Sequence, residues 1–157
     1  MPISYTIGDA TEPQGPGPHA IMHINNNLGT WGGGFVLAVS DKWPIARKVY
    51  VDEKDYLLGD IQIVPVEDDI LVINMIAQDD FPTNEFPVAV DYEALADCFW
   101  EISKRLPREY TIHAPRIGTG IAGGDWDEIE FVIHRELSDY NVIIYDLPDS
   151  KFLTGLE

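Results

Sequence analysis

The amino-acid sequence predicts an α/β layered domain with a mixed sheet, and three observations lead there. Short apolar runs alternate along the chain with longer segments of helical periodicity, as layered α/β domains require. Two apolar runs, 61–66 and 70–77, are separated only by Glu67-Asp68-Asp69. That spacing reads as a hairpin, which makes one strand pair antiparallel. Two glycine-rich loops, at 29–34 and 118–124, each follow an apolar run. Glycines between a strand and a helix leave backbone N–H groups free to point into one concavity.

Each element has its own local cause. Residues 3–7 put Ile3, Tyr5 and Ile7 on one face of an edge strand, which Gly8-Asp9 ends. Residues 11–18 are rich in Pro and Gly and read as a loop. A second strand, 20–24, stops at Asn25-Asn26-Asn27, and a short helix is expected over 35–39. Pro44 suits a first helical turn, and that helix should reach 50–52 while burying Ile45 and Val49. Pro65 cannot donate to a ladder, so its strand should lie at an edge or carry a bulge. Over 91–106, Tyr92, Leu95, Phe99, Ile102 and Leu106 form one helical stripe. A strand at 110–114 leads into the second glycine loop. Asp125-Trp126-Asp127-Glu128 has the pattern of a capping box, followed by the stripe Trp126, Ile129, Ile133, Leu137. The last strand spans 142–145.

Composition excludes several classes. The chain has 157 residues, enough for one domain with a sizeable core. Its 27 acidic and 10 basic residues give a net charge of −17, which repels nucleic-acid phosphates and anionic membranes. A nucleic-acid partner and a membrane are therefore not expected. The lone cysteine, Cys98, rules out an internal disulfide and is expected as a small buried residue on a helix. No Cys/His cluster has zinc spacing, and the pair Asp79-Asp80 reads as a solvated loop, so no metal is expected. The first residues lack a basic start before a long apolar run, and no run approaches the ~18 residues of a membrane span. The expected location is the cytoplasm. An anionic ligand would have to be held by local dipoles against the overall field.

Neither glycine loop is a Walker A motif, and Gly29-Thr30-Trp31-Gly32-Gly33-Gly34 lacks the spacing of a dinucleotide fold. Each loop alone could be a tight turn without a ligand. Both, however, stand at the carboxyl ends of strands, where open α/β sheets bind ligands. Gln78-Asp79-Asp80 and Asp9 stand at such ends too. Together the loops suggest a pocket for a diphosphate.

The order of these motifs resembles a known family. Gly8-Asp9 follows the opening strand, and His23-x-x-Asn26-x-x-Gly29-x-Trp31-Gly32-Gly33-Gly34 comes next. Late in the chain stands Pro115-Arg116-Ile117-Gly118-Thr119-Gly120-Ile121-Ala122-Gly123-Gly124, before a closing strand with Tyr145-Asp146-Leu147. This resembles the macro domain, the ADP-ribose-binding module, over almost the whole chain. The branch it is most similar to is that of the small ADP-ribose 1''-phosphate phosphatases. The resemblance implies a three-layer α/β/α domain over residues 3–147, with 148–157 as a tail. It implies ADP-ribose or ADP-ribose 1''-phosphate as ligand, a monomer, and no cofactor. Removal of ADP-ribose from modified macromolecules and non-catalytic reading of ADP-ribose remain as alternatives.

The resemblance also implies roles. Gly8 and Asp9 match the adenine end, where the carboxylate accepts from the adenine amino group. Asn26, expected among the catalytic residues with His23 and Asp125, matches the asparagine beside the distal ribose; Asn25 and Asn27 are read as bonding their own backbone, and Asn27 is also expected among the ligand-binding residues. Gly29, Trp31, Gly32, Gly33, Gly34 and Phe35 form one side of the ligand site. Gly118, Thr119, Gly120, Ile121, Ala122 and Gly123 close it from the other. Trp31 could stack near the ligand, but the favoured reading is an anchor that holds its loop in the core. Where the glycohydrolase branch places a lysine nucleophile, this chain has Gln78, which cannot form the covalent adduct. Ala122 stands where that branch has an acid. For catalysis, His23 offers proton transfer near its ordinary pKa of about 6.5, or else is a strand-end residue bonded to backbone. Asp125 offers an acid or water-orienting group, or else only a helix cap.

Overall fold

The computed structural model describes residues 3–120 and 122–154. In chain order the elements are β1 (Ile3–Ile7), β2 (His19–Asn26), α1 (Phe35–Lys42), α2 (Pro44–Val51), β3 (Ile61–Glu67) and β4 (Ile70–Gln78). Then follow α3 (Tyr92–Arg105), β5 (Thr111–Ala114), α4 (Trp126–Glu136), β6 (Val142–Asp146) and the short α5 (Lys151–Thr154). The strands form one sheet in the order β1-β6-β5-β2-β4-β3. Every neighbouring pair is parallel except β3–β4. The sheet is therefore mixed, and the hairpin expected around Glu67-Asp68-Asp69 supplies its antiparallel pair. Pro65 sits in edge strand β3, where the register shifts between Pro65 and Glu67.

Two apolar clusters account for the layers. On one face, α3 and α4 pack Leu95, Phe99, Ile102, Ile129 and Ile133 against Met22, Ile73 and Ile112. On the other, α1 and α2 pack Val36, Val39, Ala46 and Tyr50 against Ile21, Val72 and Ile76. Asp91 caps α3 by accepting from the Ala94 N–H at 2.9 Å. Cys98 lies buried on the same helix. No helix among the described residues is long and apolar enough to cross a membrane.

Three local readings of the sequence need correction. Helix α2 buries Ala46 and Tyr50, whereas Ile45 is 45% exposed and Val49 only half-buried. Its orientation follows the largest side chain. Tyr50 Oη lies 2.7 Å from Asn26 O and 2.8 Å from Asn26 Oδ1, and its ring packs against Trp31 and Tyr56. Strand β2 runs past Ile24 to Asn26, because Asn25 and Asn26 still pair with β4, at Ile76 and Gln78. Helix α1 continues past Val39 to Lys42. Helix α5 lays the Phe152 ring 4.1 Å from the Arg116 guanidinium carbon.

Candidate functional site

The carboxyl ends of β2 and β5 open into a cavity of about 220 Å³. The stretch 31–36 borders it on one side, and 115–118 with Gly120 and Ala122 borders it on the other. Residues 23–26 form its floor, with Gln78 and Phe81 at the margin. The fold thus brings together two glycine loops that lie far apart in sequence.

The lining does not share the acidity of the chain as a whole. Of 27 acidic residues in the chain, none is among the described residues lining the cavity. Arg116 does line it. Its Nε and Nη2 donate to Asp146 at 3.0 and 2.9 Å, and its guanidinium lies near the rings of Tyr5, Trp126 and Phe152. This double hydrogen bond and the ring contacts hold the guanidinium in one plane. Helix α1 begins at the cavity, with Gly34, Phe35 and Val36 in the lining and no acidic residue in its first turn. Its unpaired N–H groups and its dipole favour an anion there.

Two glycines have no explanation in the protein itself. Among the described residues, a Cβ at Gly33 or Gly120 would meet nothing within 4 Å, and neither residue has a positive φ. Both line the cavity, so the space over them is open to a closely approaching ligand. Gly118 differs: its φ is 76°, and a Cβ would sit 2.9 Å from Ile129 Cδ1. The fold requires that glycine whatever binds.

Asn26 pins the first loop. Its Oδ1 accepts from the Leu28 and Thr30 N–H groups at 2.9 and 3.4 Å, and its Nδ2 donates to Thr30 O at 2.8 Å. Asn27 does not bond its own backbone as expected. It reaches across to the end of β4, donating to Asp79 Oδ1 and accepting from the Asp80 N–H, because the β2–β4 pairing brings those ends together. Trp31 is buried, donates from Nε1 to Val36 O as an anchor of its loop does, and also lines the cavity.

Other expected site residues lie outside the lining. A Cβ on Gly29 would strike the Tyr56 ring, and one on Gly123 would strike Pro87 O, so both glycines are needed for packing. Thr119 Oγ1 donates to Arg116 O inside its own loop. The Asp9 carboxylate accepts from the Thr11 N–H and hydroxyl, both at 2.8 Å. The Gly8 N–H donates to Asp146 O, which ties this turn to the residue holding Arg116. Ile121 falls outside the described residues.

The catalytic expectations change most. Asp125 is exposed, caps α4 by accepting from the Asp127 N–H at 3.0 Å, and is not part of the lining. Capping turns its carboxylate along the helix axis. His23 does line the cavity but is 2% exposed, and burial pushes its pKa down to about 4 against a weaker opposing pull from Asn74. It is neutral at pH 7, so the expectation of a histidine titrating near 6.5 fails. Its ring partner is Asn74 Oδ1 at 2.6 Å, not backbone.

Sequence reasoning passed over Arg116 and Phe81 as site residues, and it misread Asn25. The Asn25 amide is 3% exposed, lines the cavity and has no hydrogen-bond partner among the described residues. Leaving such a group unpaired costs about 1–3 kcal/mol. One signal was available: Ile21, His23 and Asn25 alternate along β2, so they share a face.

The fold has counterparts among known proteins. No family model matches the chain. A macrodomain protein from Streptomyces coelicolor superposes with a TM-score of 0.78 at 37% identity, covering 92% of this chain and 99% of that one. The ADP-ribose 1''-phosphate phosphatase of Lodderomyces elongisporus is 26% identical across 93% of this chain and 100% of its own length. The mouse chromodomain-helicase-DNA-binding protein 1-like is 30% identical over 95% of this chain, but the chain spans only 18% of that protein. The chain belongs to the macrodomain family.

Proposed function

We propose that this chain binds ADP-ribose and hydrolyses ADP-ribose 1''-phosphate, adding water across the phosphate ester to give ADP-ribose and inorganic phosphate. The observation that carries the reading is the convergence of both glycine loops on one cavity whose described lining holds Arg116 and no carboxylate. The similarity to a protein named ADP-ribose 1''-phosphate phosphatase over that protein's full length supports the choice of substrate.

In this reading the N–H groups of 32–34, Gly118 and Gly120 surround the diphosphate, and no ordering of lysine side chains is needed. Gly33 and Gly120 leave the room for its close approach. Adenine extends past Arg116 and Asp146 toward Gly8-Asp9. Asn26 holds the first loop in shape. His23, neutral, accepts a hydrogen bond from water or a ligand hydroxyl and does not donate a proton from an imidazolium. Gln78 lacks the amine of the lysine-dependent route, which disfavours removal of ADP-ribose through a covalent adduct. The proposal includes a monomer acting in the cytoplasm, and the net charge of −17 argues against a nucleic-acid partner.

A non-catalytic reader of ADP-ribose is the second reading, favoured by the placement of Asp125 outside the lining. Calorimetry with ADP-ribose followed by a phosphate-release assay on the 1''-phosphate separates the two. Binding with phosphate release supports the enzyme, binding without release supports the reader, and no binding at saturating ligand removes both.

A further inference from the structure

The sheet has two edges, and only one is blunted. Edge strand β3 carries Pro65, a register shift beside it, and Glu67. Such devices stop an edge from pairing with another chain. The opposite edge, β1, reads Ile3-Ser4-Tyr5-Thr6-Ile7, with no proline, no charge and no register shift.

The outward backbone groups of β1 can be assigned. The N–H and C=O of one strand residue point to the same side, and the sides alternate along the chain. The Gly8 N–H donates to Asp146 O of β6, so Ser4 and Thr6 face β6 as well. Ile3, Tyr5 and Ile7 therefore turn theirs to the open edge. Gln14 Nε2 donates to Ile7 O at 3.1 Å and closes the last of these carbonyls. No other outward group of β1 is bonded among the described residues.

A groove runs along the same edge. Ile3 and Tyr5, with Asp127, Glu130, Phe131 and His134 of α4, line a cavity of about 460 Å³. The four α4 positions form one helical face, separate from the buried face of Trp126, Ile129, Val132 and Ile133. Phe131 is 62% exposed. Two cations stand nearby, and both have carboxylate partners. Arg135 lies over Phe131 and pairs with Glu136, while Arg116 lies over Tyr5 and pairs with Asp146. Glu130 accepts from the Tyr5 hydroxyl, and neither it nor Asp127 has a cationic partner among the described residues.

A strand laid beside β1 would set alternate side chains over this groove. Its backbone would meet the outward groups of Ile3 and Tyr5. Apolar side chains would meet Phe131 and Ile3, and a Lys or Arg would meet Asp127 and Glu130. We propose that β1 and α4 form a docking surface for an extended basic segment of a partner protein, which joins the sheet beside β1. A second copy of this chain fits worse. Pairing β1 with β1 antiparallel puts both acidic α4 faces over one seam, between chains of net charge −17. None of the groove residues lines the glycine-loop cavity, so the inference is independent of the ligand held there.

The probe is a phage library of random heptapeptides panned on the full chain, followed by synthesis of the most enriched sequence. Enriched sequences should place apolar residues at alternate positions, with Lys or Arg on the same side. In amide NMR the synthetic peptide should shift the Tyr5 and Ile7 N–H signals and slow their exchange. Those of Ser4 and Thr6, already bonded to β6, should change little. Ile7→Pro removes one outward N–H and leaves the β6 ladder intact. Peptide affinity should then fall about tenfold while the melting temperature barely moves. Glu130→Gln should weaken the peptide about threefold and flatten its salt dependence. No enrichment over uncoated wells, enrichment of acidic sequences, or unmoved Tyr5 and Ile7 amides overturns the surface. A dimer in sedimentation velocity that Ile7→Pro dissolves assigns the edge to a second copy and overturns it too. If Ile7→Pro does not fold, the amide shifts and Glu130→Gln decide, and unchanged affinity in Glu130→Gln counts against the proposal.

Discussion

The two faces of the central sheet are built from the same strands by opposite rules. Toward α3 and α4, the strand residues Ala20, Met22, Ile73, Met75, Ile112 and Ala114 are all apolar. The alternate positions, toward α1 and α2, include Ile21, Val72 and Ile76 but also His19, His23, Asn25, Asn74 and His113, every one buried. The difference separates cohesion from chemistry. One face gains free energy by burial alone. The other accepts buried polar groups, satisfies most of them with one another, and leaves its unpaired atoms at the cavity.

The largest expected effect breaks the cohesive face. Phe99 is fully buried in the larger cluster, so Phe99→Ala removes its transfer energy and leaves a cavity. Urea unfolding should show a loss of about 3–5 kcal/mol. A loss below about 1.5 kcal/mol would mean that this face repacks freely and does not carry the fold.

Acid reads the polar face. Burial holds both His23 and His113 at about 4, and for His113 the neighbouring His19 adds to the effect. In the unfolded chain each returns to its ordinary value of about 6.5. Between those values the unfolded state binds more protons, so stability rises with pH across that window. The contribution is fully present above about 6.5 and is lost as pH falls toward 4, with no further loss from these groups below that. Comparing the unsubstituted chain with His23→Phe at each pH cancels the carboxylates common to both. The difference should change by on the order of 3 kcal/mol over the window. A flat difference would show that His23 is hydrated and not sealed within this face.

Much of this architecture was legible before any coordinates. The stripe at Leu95, Phe99 and Ile102 and the hairpin around Glu67-Asp68-Asp69 follow from periodicity and turn chemistry, which are local. The rotation of α2 was not legible, because Ile45 and Val49 satisfy helical spacing as well as Ala46 and Tyr50 do. A contact with Asn26, 24 positions earlier, decides between them. The His23–Asn74 pair spans 51 positions, and no local pattern shows that Asn74 orients the imidazole. Asp125 shows the reverse case. Its capping signature was readable, but which way a capped residue faces depends on where its helix docks.

The smallest stability effect gives the sharpest view of the cavity. Gly33→Ala and Gly120→Ala place a methyl group where none of the described residues lies within 4 Å, at residues without a positive φ. The folded state has no reason to resist either change, and alanine also narrows the unfolded ensemble. Stability should shift by less than about 1 kcal/mol, toward greater stability. If these glycines are open because a pyrophosphate comes within van der Waals reach of the backbone, the same methyl groups must block it. ADP-ribose affinity should then fall sharply in calorimetry while thermal unfolding barely moves. A packing role predicts the two quantities fall together. A bare turn with no ligand predicts that neither changes, and that result would leave the convergence of the two loops without a purpose.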